Sequence, residues 1–101
     1  MRIVVFGGSF DPVHHGHLVV ARVAGEALGS TQVRLIAAGE QPFKVGQHAA
    51  TAIHRAAMVE LAVAGDSSLV ADRVEVDRPG PSYTVDTIAD VRRRFPTATV
   101  I

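Results

Sequence analysis

Val4-Val5-Phe6-Gly7-Gly8-Ser9-Phe10-Asp11-Pro12-Val13-His14-His15-Gly16-His17-Leu18 is the stretch on which the reading of the whole chain turns. Its branched and aromatic start predicts a buried strand. Two glycines break that strand, and a second polar turn leads through Gly16 into a helical pattern. A strand, a glycine turn and a helix start aim backbone N–H groups and the positive end of a helix dipole at one small volume, where a phosphate binds. The spacing His14-x-Gly16-His17 adds two imidazoles there. Residues three apart on a first helical turn share a face, so both rings lean over an anion held at the helix start, and Gly16 leaves the backbone open to a ligand. An imidazole donates an N–H to a phosphate oxygen and can carry positive charge. That chemistry suits phosphoryl or nucleotidyl transfer, where catalysis is mostly positioning and charge stabilisation.

Three other readings stand beside this one. His14, His15 and His17, with His48 or His54, form a candidate zinc cluster, which would leave the glycine turn without a purpose. A dehydrogenase-type dinucleotide fold requires G-x-G-x-x-G after its first strand, and Gly7-Gly8-Ser9-Phe10 does not supply it. A structural turn with internally satisfied histidines accounts for the spacing without any ligand.

A length of 101 residues predicts one small domain, 1–101. Ten basic residues balance ten acidic ones, which argues against a nucleic-acid partner, whose footprint is a clustered excess of Lys and Arg. The chain has no cysteine; disulfides are excluded and a reducing compartment fits. Met1 to Phe6 is too short for a signal-peptide core, and no apolar run approaches the roughly 18 residues of a membrane span. A soluble cytoplasmic protein without a membrane partner is expected.

Beyond the first strand, Leu18 to Leu28 is apolar on most of its circumference, with Arg22 and Glu26 on the remaining face. Such a helix lies against a sheet, and Gly29 closes it. Gln32 to Ala37 is the second strand, and the alternation of strand and helix predicts an α/β fold with a right-handed crossover. Ala38 to Ala50 is an irregular loop containing Lys44 and His48, of a length that is usually functional. Thr51 to Ala64 is a second helix, with Ile53, Ala57, Leu61 and Ala64 as its buried stripe. In it, Arg55 could reach a ligand phosphate, but a helix-face arginine is more often solvated or paired with a carboxylate such as Glu60, which is the expectation here. Leu69 to Asp77 alternates as a third strand, Val70, Asp72, Val74 and Val76 on one face. The first strand is apolar on both faces and therefore central, whereas the third lies at an edge. That is what the sheet order 3-2-1-4 requires, with ligands beside the first strand at the switch point. A stiff turn, Arg78-Pro79-Gly80-Pro81, precedes a third helix with Ser82 or Thr84 as N-cap and Asp86 in its first turn. Ile88, Val91 and Phe95 face inward and Arg92 to Arg94 mostly outward. Pro96 ends that helix, and Ala98 to Ile101 begins a fourth strand.

The string GGSFDPVHHGHL resembles the signature of the HxGH nucleotidyltransferases and, within them, of the bacterial nicotinate mononucleotide adenylyltransferases. Arg78-x-Gly80-x-Ser82-Tyr83-Thr84-x-Asp86-Thr87 resembles the second signature of those enzymes. The resemblance covers the whole chain and implies the N-terminal half of a Rossmann-like doubly wound nucleotidyltransferase fold. It implies adenylyl transfer from Mg-ATP to nicotinate mononucleotide, giving nicotinate adenine dinucleotide and pyrophosphate in NAD biosynthesis, by direct in-line attack. In that picture His14 and His17 stabilise charge on the ATP phosphates, and Gly7, Gly8, Ser9, Phe10 and Gly16 shape the nucleotide cleft. Mg²⁺ arrives with ATP, without a dedicated protein metal site. Ser82, Tyr83 and Thr84 meet the nicotinate ring and its carboxylate. Gln41-Pro42-Phe43-Lys44 stands where the family has a proline-rich loop ending in a basic residue, which makes Lys44 a candidate phosphate contact; the second proline and the histidine common there are absent.

The family's later motifs have no counterpart here, and a fourth strand at Ile101 has no helix to cover it and no neighbour on its outer edge. The expectation is a portion of a longer enzyme. The alternative is a half-fold completed by a second copy as a homo-oligomer. A nucleotide-binding or assembly module without turnover, or a related transferase with another acceptor, are the competing functions.

Overall fold

A computed structural model describes residues 1–39, 50–78, 80 and 82–101. Seven elements follow one another along it: β1 (Arg2–Gly8), α1 (His15–Leu28), β2 (Gln32–Ala37), α2 (Ala52–Val63), β3 (Leu69–Asp72), α3 (Thr84–Arg94) and β4 (Thr99–Val100). The four strands form one sheet in the order β3-β2-β1-β4, and every pairing is parallel. This is the expected 3-2-1-4 order, and β1 lies inside and β3 at an edge as the strand patterns predicted.

Alternation along the strands divides the core between two faces. Val4 of β1 and Val33, Leu35 and Ala37 of β2 pack with Leu18, Ala21, Ala56, Val59 and Val63 of α1 and α2. Ile3 and Ile36 pack on the other face with Val91 of α3, joined by Val5, Phe95 and Val100. Helices on both faces bury β1 from either side, which is why its sequence is apolar throughout.

Several boundaries differ from the sequence-based expectation. Gly7 and Gly8 do not break β1; they pair with Ile36 and Ala37 as its last two residues, because the ladder needs only backbone groups. The break comes at Ser9-Phe10. In α1 only Leu18, Ala21 and Gly25 are buried, so the helix expected to be apolar on most of its circumference exposes Val19, Val20 and Val23 on its outer side. A Cβ on Gly25 would lie 2.9 Å from Val33 Cγ2, so glycine lets α1 approach the sheet. Gly29 ends α1 at φ 63°, the left-handed closure its position predicts.

In α2 the buried stripe is Arg55, Ala56, Val59 and Val63, while Ile53 and Leu61 are 65% and 80% exposed. Two apolar stripes compete on this helix. The observed one carries the Arg55 side chain inward to loop carbonyls.

β3 ends at Asp72 and not at Asp77. The Asp72 carboxylate accepts the Val74 N–H at 3.0 Å, and Asp77 N–H bonds back to Arg73 at 2.8 Å, folding residues 73–77 into turns. Asp72 is buried between Arg34 and Arg94, each 2.8 Å away. Burial pushes its carboxyl pKa up, but the bonds from Arg34 and Arg94 outweigh this and leave it below the usual value. α3 has Tyr83 as N-cap, with no side-chain cap bond, so neither Ser82 nor Thr84 fills that role; Asp86 sits in the first turn as expected.

Candidate active site

Two structures flank the C-terminal end of β1, one on each face of the sheet. On the α1–α2 face the chain leaves β1 through Phe10, whose φ of 50° is rare for a bulky residue. Such a conformation costs on the order of 1–3 kcal/mol and persists only where packing enforces it. Here the Phe10 side chain is buried in the space Gly8 leaves, since a Cβ on Gly8 would lie 3.3 Å from Phe10 Cζ. Its ring meets Phe6 edge-on at 5.5 Å and His17 at 5.0 Å between centroids.

The loop then enters α1 through a capping box made of histidines. His14 is the N-cap, and its Nδ1 accepts the Gly16 N–H at 3.1 Å. His17 Nδ1 accepts the His14 N–H at 3.0 Å. Each Nδ1 is an acceptor, so in the neutral rings each Nε2 carries the proton. The two rings lie 3.9 Å apart, centroid to centroid. Burial, and then the neighbouring His14, lowers the pKa of His17. The space at Gly16 is taken by the His14 imidazole, because a Cβ there would be 2.8 Å from His14 Cε1. This corrects the expectation that Gly16 leaves the backbone open for a ligand.

A buried arginine that sequence reasoning set aside holds this wall in place. Arg55 is 2% exposed. Its Nη1 donates to the Ser9 carbonyl at 2.9 Å and the Ala38 carbonyl at 2.7 Å, and its Nε donates to the Ala50 carbonyl at 3.1 Å. One guanidinium thus joins the loop after β1, the end of β2 and the approach to α2. Burial lowers its pKa and the charge of Asp11 opposes this; an arginine remains cationic in either case. Glu60, its anticipated partner, pairs with Arg73. The signal for burial was its place beside Ala56, Val59 and Val63 on one helical face.

On the α3 face a cleft of about 390 Å³ opens at the same sheet edge, lined in part by Gly7, Ala38, Glu75, Ser82, Thr84 and Thr87. Ser82 is buried, its hydroxyl 3.5 Å from the Glu75 carbonyl. Gly39 packs under the same carbonyl, where a Cβ would come within 2.5 Å of the oxygen. The Thr87 hydroxyl donates to Glu75 Oε2 at 2.8 Å. Glu75 and Thr87 were absent from the sequence-based set, Glu75 because the alternation carried the third strand through to Asp77.

Of the expected site residues, Gly8, Ser9, Phe10, His14, Gly16 and His17 converge in the first wall. Gly7, Ser82 and Thr84 line the cleft, together with Gly8. Tyr83 is 53% exposed beside it. Lys44 lies outside the described residues.

A model of the cytidylyltransferase-like family matches residues 5–101. A protein of Thermomicrobium roseum named as a probable nicotinate-nucleotide adenylyltransferase is 43% identical, over 99% of this chain and 47% of its own length. One of Thermus thermophilus with the same name is 51% identical, over 95% of this chain and 50% of its own length. The chain therefore spans about half the length of the curated relatives it matches. The solved structure of Plasmodium falciparum nicotinic acid mononucleotide adenylyltransferase complexed with NaAD is similar in fold. Its TM-score is 0.79 at 18% identity, over 98% of this chain and 49% of that one.

Proposed function

Because the chain belongs to the cytidylyltransferase-like family, we propose that it forms the nucleotide-binding half of a nicotinate-nucleotide adenylyltransferase. The reaction joins the phosphate of nicotinate mononucleotide to the α-phosphorus of ATP. A new P–O bond forms at that phosphorus as the bond to the β-phosphate oxygen breaks, and pyrophosphate leaves. Names shared by relatives 43% and 51% identical support this substrate pair.

The observation that carries the proposal is the histidine capping box. By accepting backbone N–H groups at both Nδ1 atoms, it leaves two Nε2–H donors side by side at the start of α1. Two preorganised donors stabilise charge that grows on phosphate oxygens during transfer, without reorganisation at the moment of reaction. Gly7, Gly8, Ser9 and Phe10 shape the nucleotide cleft, Gly16 keeps the His14 ring in place, and Lys44 contacts phosphate. Ser82, Tyr83 and Thr84 receive the nicotinate end, where N–H groups at the start of α3 suit a carboxylate. Among the described residues no three His, Asp or Glu side chains gather into a metal cage. In this reading Mg²⁺ arrives on the ATP phosphates, whose charge it neutralises. No helix among the described residues is long and apolar enough to cross a membrane.

The test is pyrophosphate release from ATP with nicotinate mononucleotide as acceptor, beside calorimetric binding of each. Release that depends on this acceptor supports the reading. Binding without release assigns a nucleotide-binding module instead. His17→Ala should lower turnover at least about tenfold while the protein still folds; unchanged turnover would remove the histidine from the mechanism.

A further inference from the structure

Glu75 is a charged side chain in the cleft that no step above uses. Its carbonyl lies over Gly39 and near the Ser82 hydroxyl, and its carboxylate accepts the Thr87 hydroxyl, so both its backbone and its side chain are held from neighbouring segments. Arg78 also donates to the Thr87 hydroxyl, at 3.3 Å, but its guanidinium is ion-paired with Asp90. Among the described residues no cation pairs with Glu75. Glu75 lines the cleft beside both apolar groups, Val5, Ile36 and Ile88, and polar ones, Ser82, Thr84 and Thr87, and a carboxylate at such a wall attracts an opposite charge that enters the cleft more strongly than it would in open water.

We propose that Glu75 is a specificity-determining residue whose carboxylate faces the positively charged ring nitrogen of a pyridinium mononucleotide. This rests on the reading of the cleft as the nicotinate site. Nicotinate mononucleotide is a zwitterion at the ring, with a quaternary nitrogen at the glycosidic bond and a carboxylate on carbon. A site made only of N–H donors favours the carboxylate and is indifferent to the nitrogen. Glu75 supplies the opposite charge, and so selects a pyridinium over a neutral aromatic acid of the same shape, a preference set by a difference of two affinities.

The experiment compares nicotinate mononucleotide with its C-riboside isostere, in which carbon replaces the ring nitrogen and the carboxylate and phosphate are retained. Binding to the full chain is measured by calorimetry. The wild type should bind the pyridinium at least about tenfold more tightly. Glu75→Gln keeps an acceptor for Thr87 and removes the charge; the preference should fall below about threefold with ATP affinity unchanged. Glu75→Asp keeps the charge and should retain most of the preference, which holds the proposal open to failure even if the glutamine variant does not fold. A preference that survives Glu75→Gln, or is lost equally in Glu75→Asp, would reduce Glu75 to a structural role. A wild type that binds both ligands equally would overturn the proposal while leaving the nicotinate site intact. A wild type that binds neither would overturn the reading of the cleft itself, and this proposal with it.

Discussion

The two flanks of β1 are built on opposite plans. On the α1–α2 side the polar atoms bond one another: His14 and His17 cap a helix, and Arg55 bonds three backbone carbonyls. On the α3 side Glu75, Ser82, Thr84 and Thr87 surround open volume. The first flank is preorganised, and what it presents outward is only what its internal bonds leave over, two Nε2–H groups. The second also bonds its polar groups, Ser82 and Thr87 to Glu75, but arranges them around a cleft that Gly7 lines. On the proposed reading, phosphates meet the preorganised flank and the ring meets the cleft, so the rigid part need not move when the open part fills.

Removing the arginine should break the comparison most severely. Arg55→Met keeps much of the buried volume but removes the guanidinium that donates to the carbonyls of Ser9, Ala38 and Ala50. Charge-assisted bonds to buried acceptors are worth about 1.5–3 kcal/mol each, so a loss of at least ~3 kcal/mol is expected in chemical denaturation. A loss under ~1 kcal/mol would mean that water replaces the guanidinium and that the first flank is not held as described.

Proton binding offers a smaller and more selective break. An unfolded histidine takes up a proton near pH 6.5. In the folded chain burial, then His14, lowers the His17 value. Between the two values the unfolded state holds more protons than the native one. The His17 contribution to stability is therefore present above about pH 6.5 and is lost as pH falls toward the folded value. His17→Gln retains a capping-box acceptor at this position without a titrating ring. It should leave stability at pH 7.5 within ~0.5 kcal/mol and flatten this part of the pH profile. A variant whose denaturation midpoints track the wild type from pH 7.5 to 5 would show that the cap does not depend on the His17 proton.

Much of the fold was legible because strand burial has a plain signature. A first strand apolar on both faces and a third that is not placed one inside the sheet and the other at its edge, as the order 3-2-1-4 requires, and the glycine turn located the histidines. The α2 stripe was misread because Ile53 and Leu61 are as apolar as the residues that are buried; only the carbonyls waiting for Arg55, on segments distant in sequence, select the other face. Asp72 was misread for a similar reason. Alternation through Asp77 mimics a longer strand, and the Arg34 and Arg94 side chains that draw Asp72 inward leave no local pattern. The dual use of each imidazole, Nδ1 inward and Nε2 outward, became visible only when both backbone donors could be placed.

The adjacent glycines at the end of β1 sharpen the comparison with the smallest change, one methyl group each. They point to opposite faces of the sheet, so their substitutions should separate. At Gly8 an added Cβ meets the Phe10 ring at 3.3 Å, and that ring belongs to a residue already held at φ 50°. Gly8→Ala should cost about 1 kcal/mol or more, since a packed aromatic has to shift. At Gly7 nothing lies within 4 Å of an added Cβ, and alanine in a strand is favoured over glycine by roughly 0.5–1 kcal/mol. Gly7→Ala should therefore leave stability unchanged or raise it, while its methyl projects toward the cleft and weakens ligand binding there. Denaturation and calorimetry on the two variants test this together. If Gly7→Ala destabilised the fold, or Gly8→Ala did not, the two glycines would not divide between an open face and a packed one.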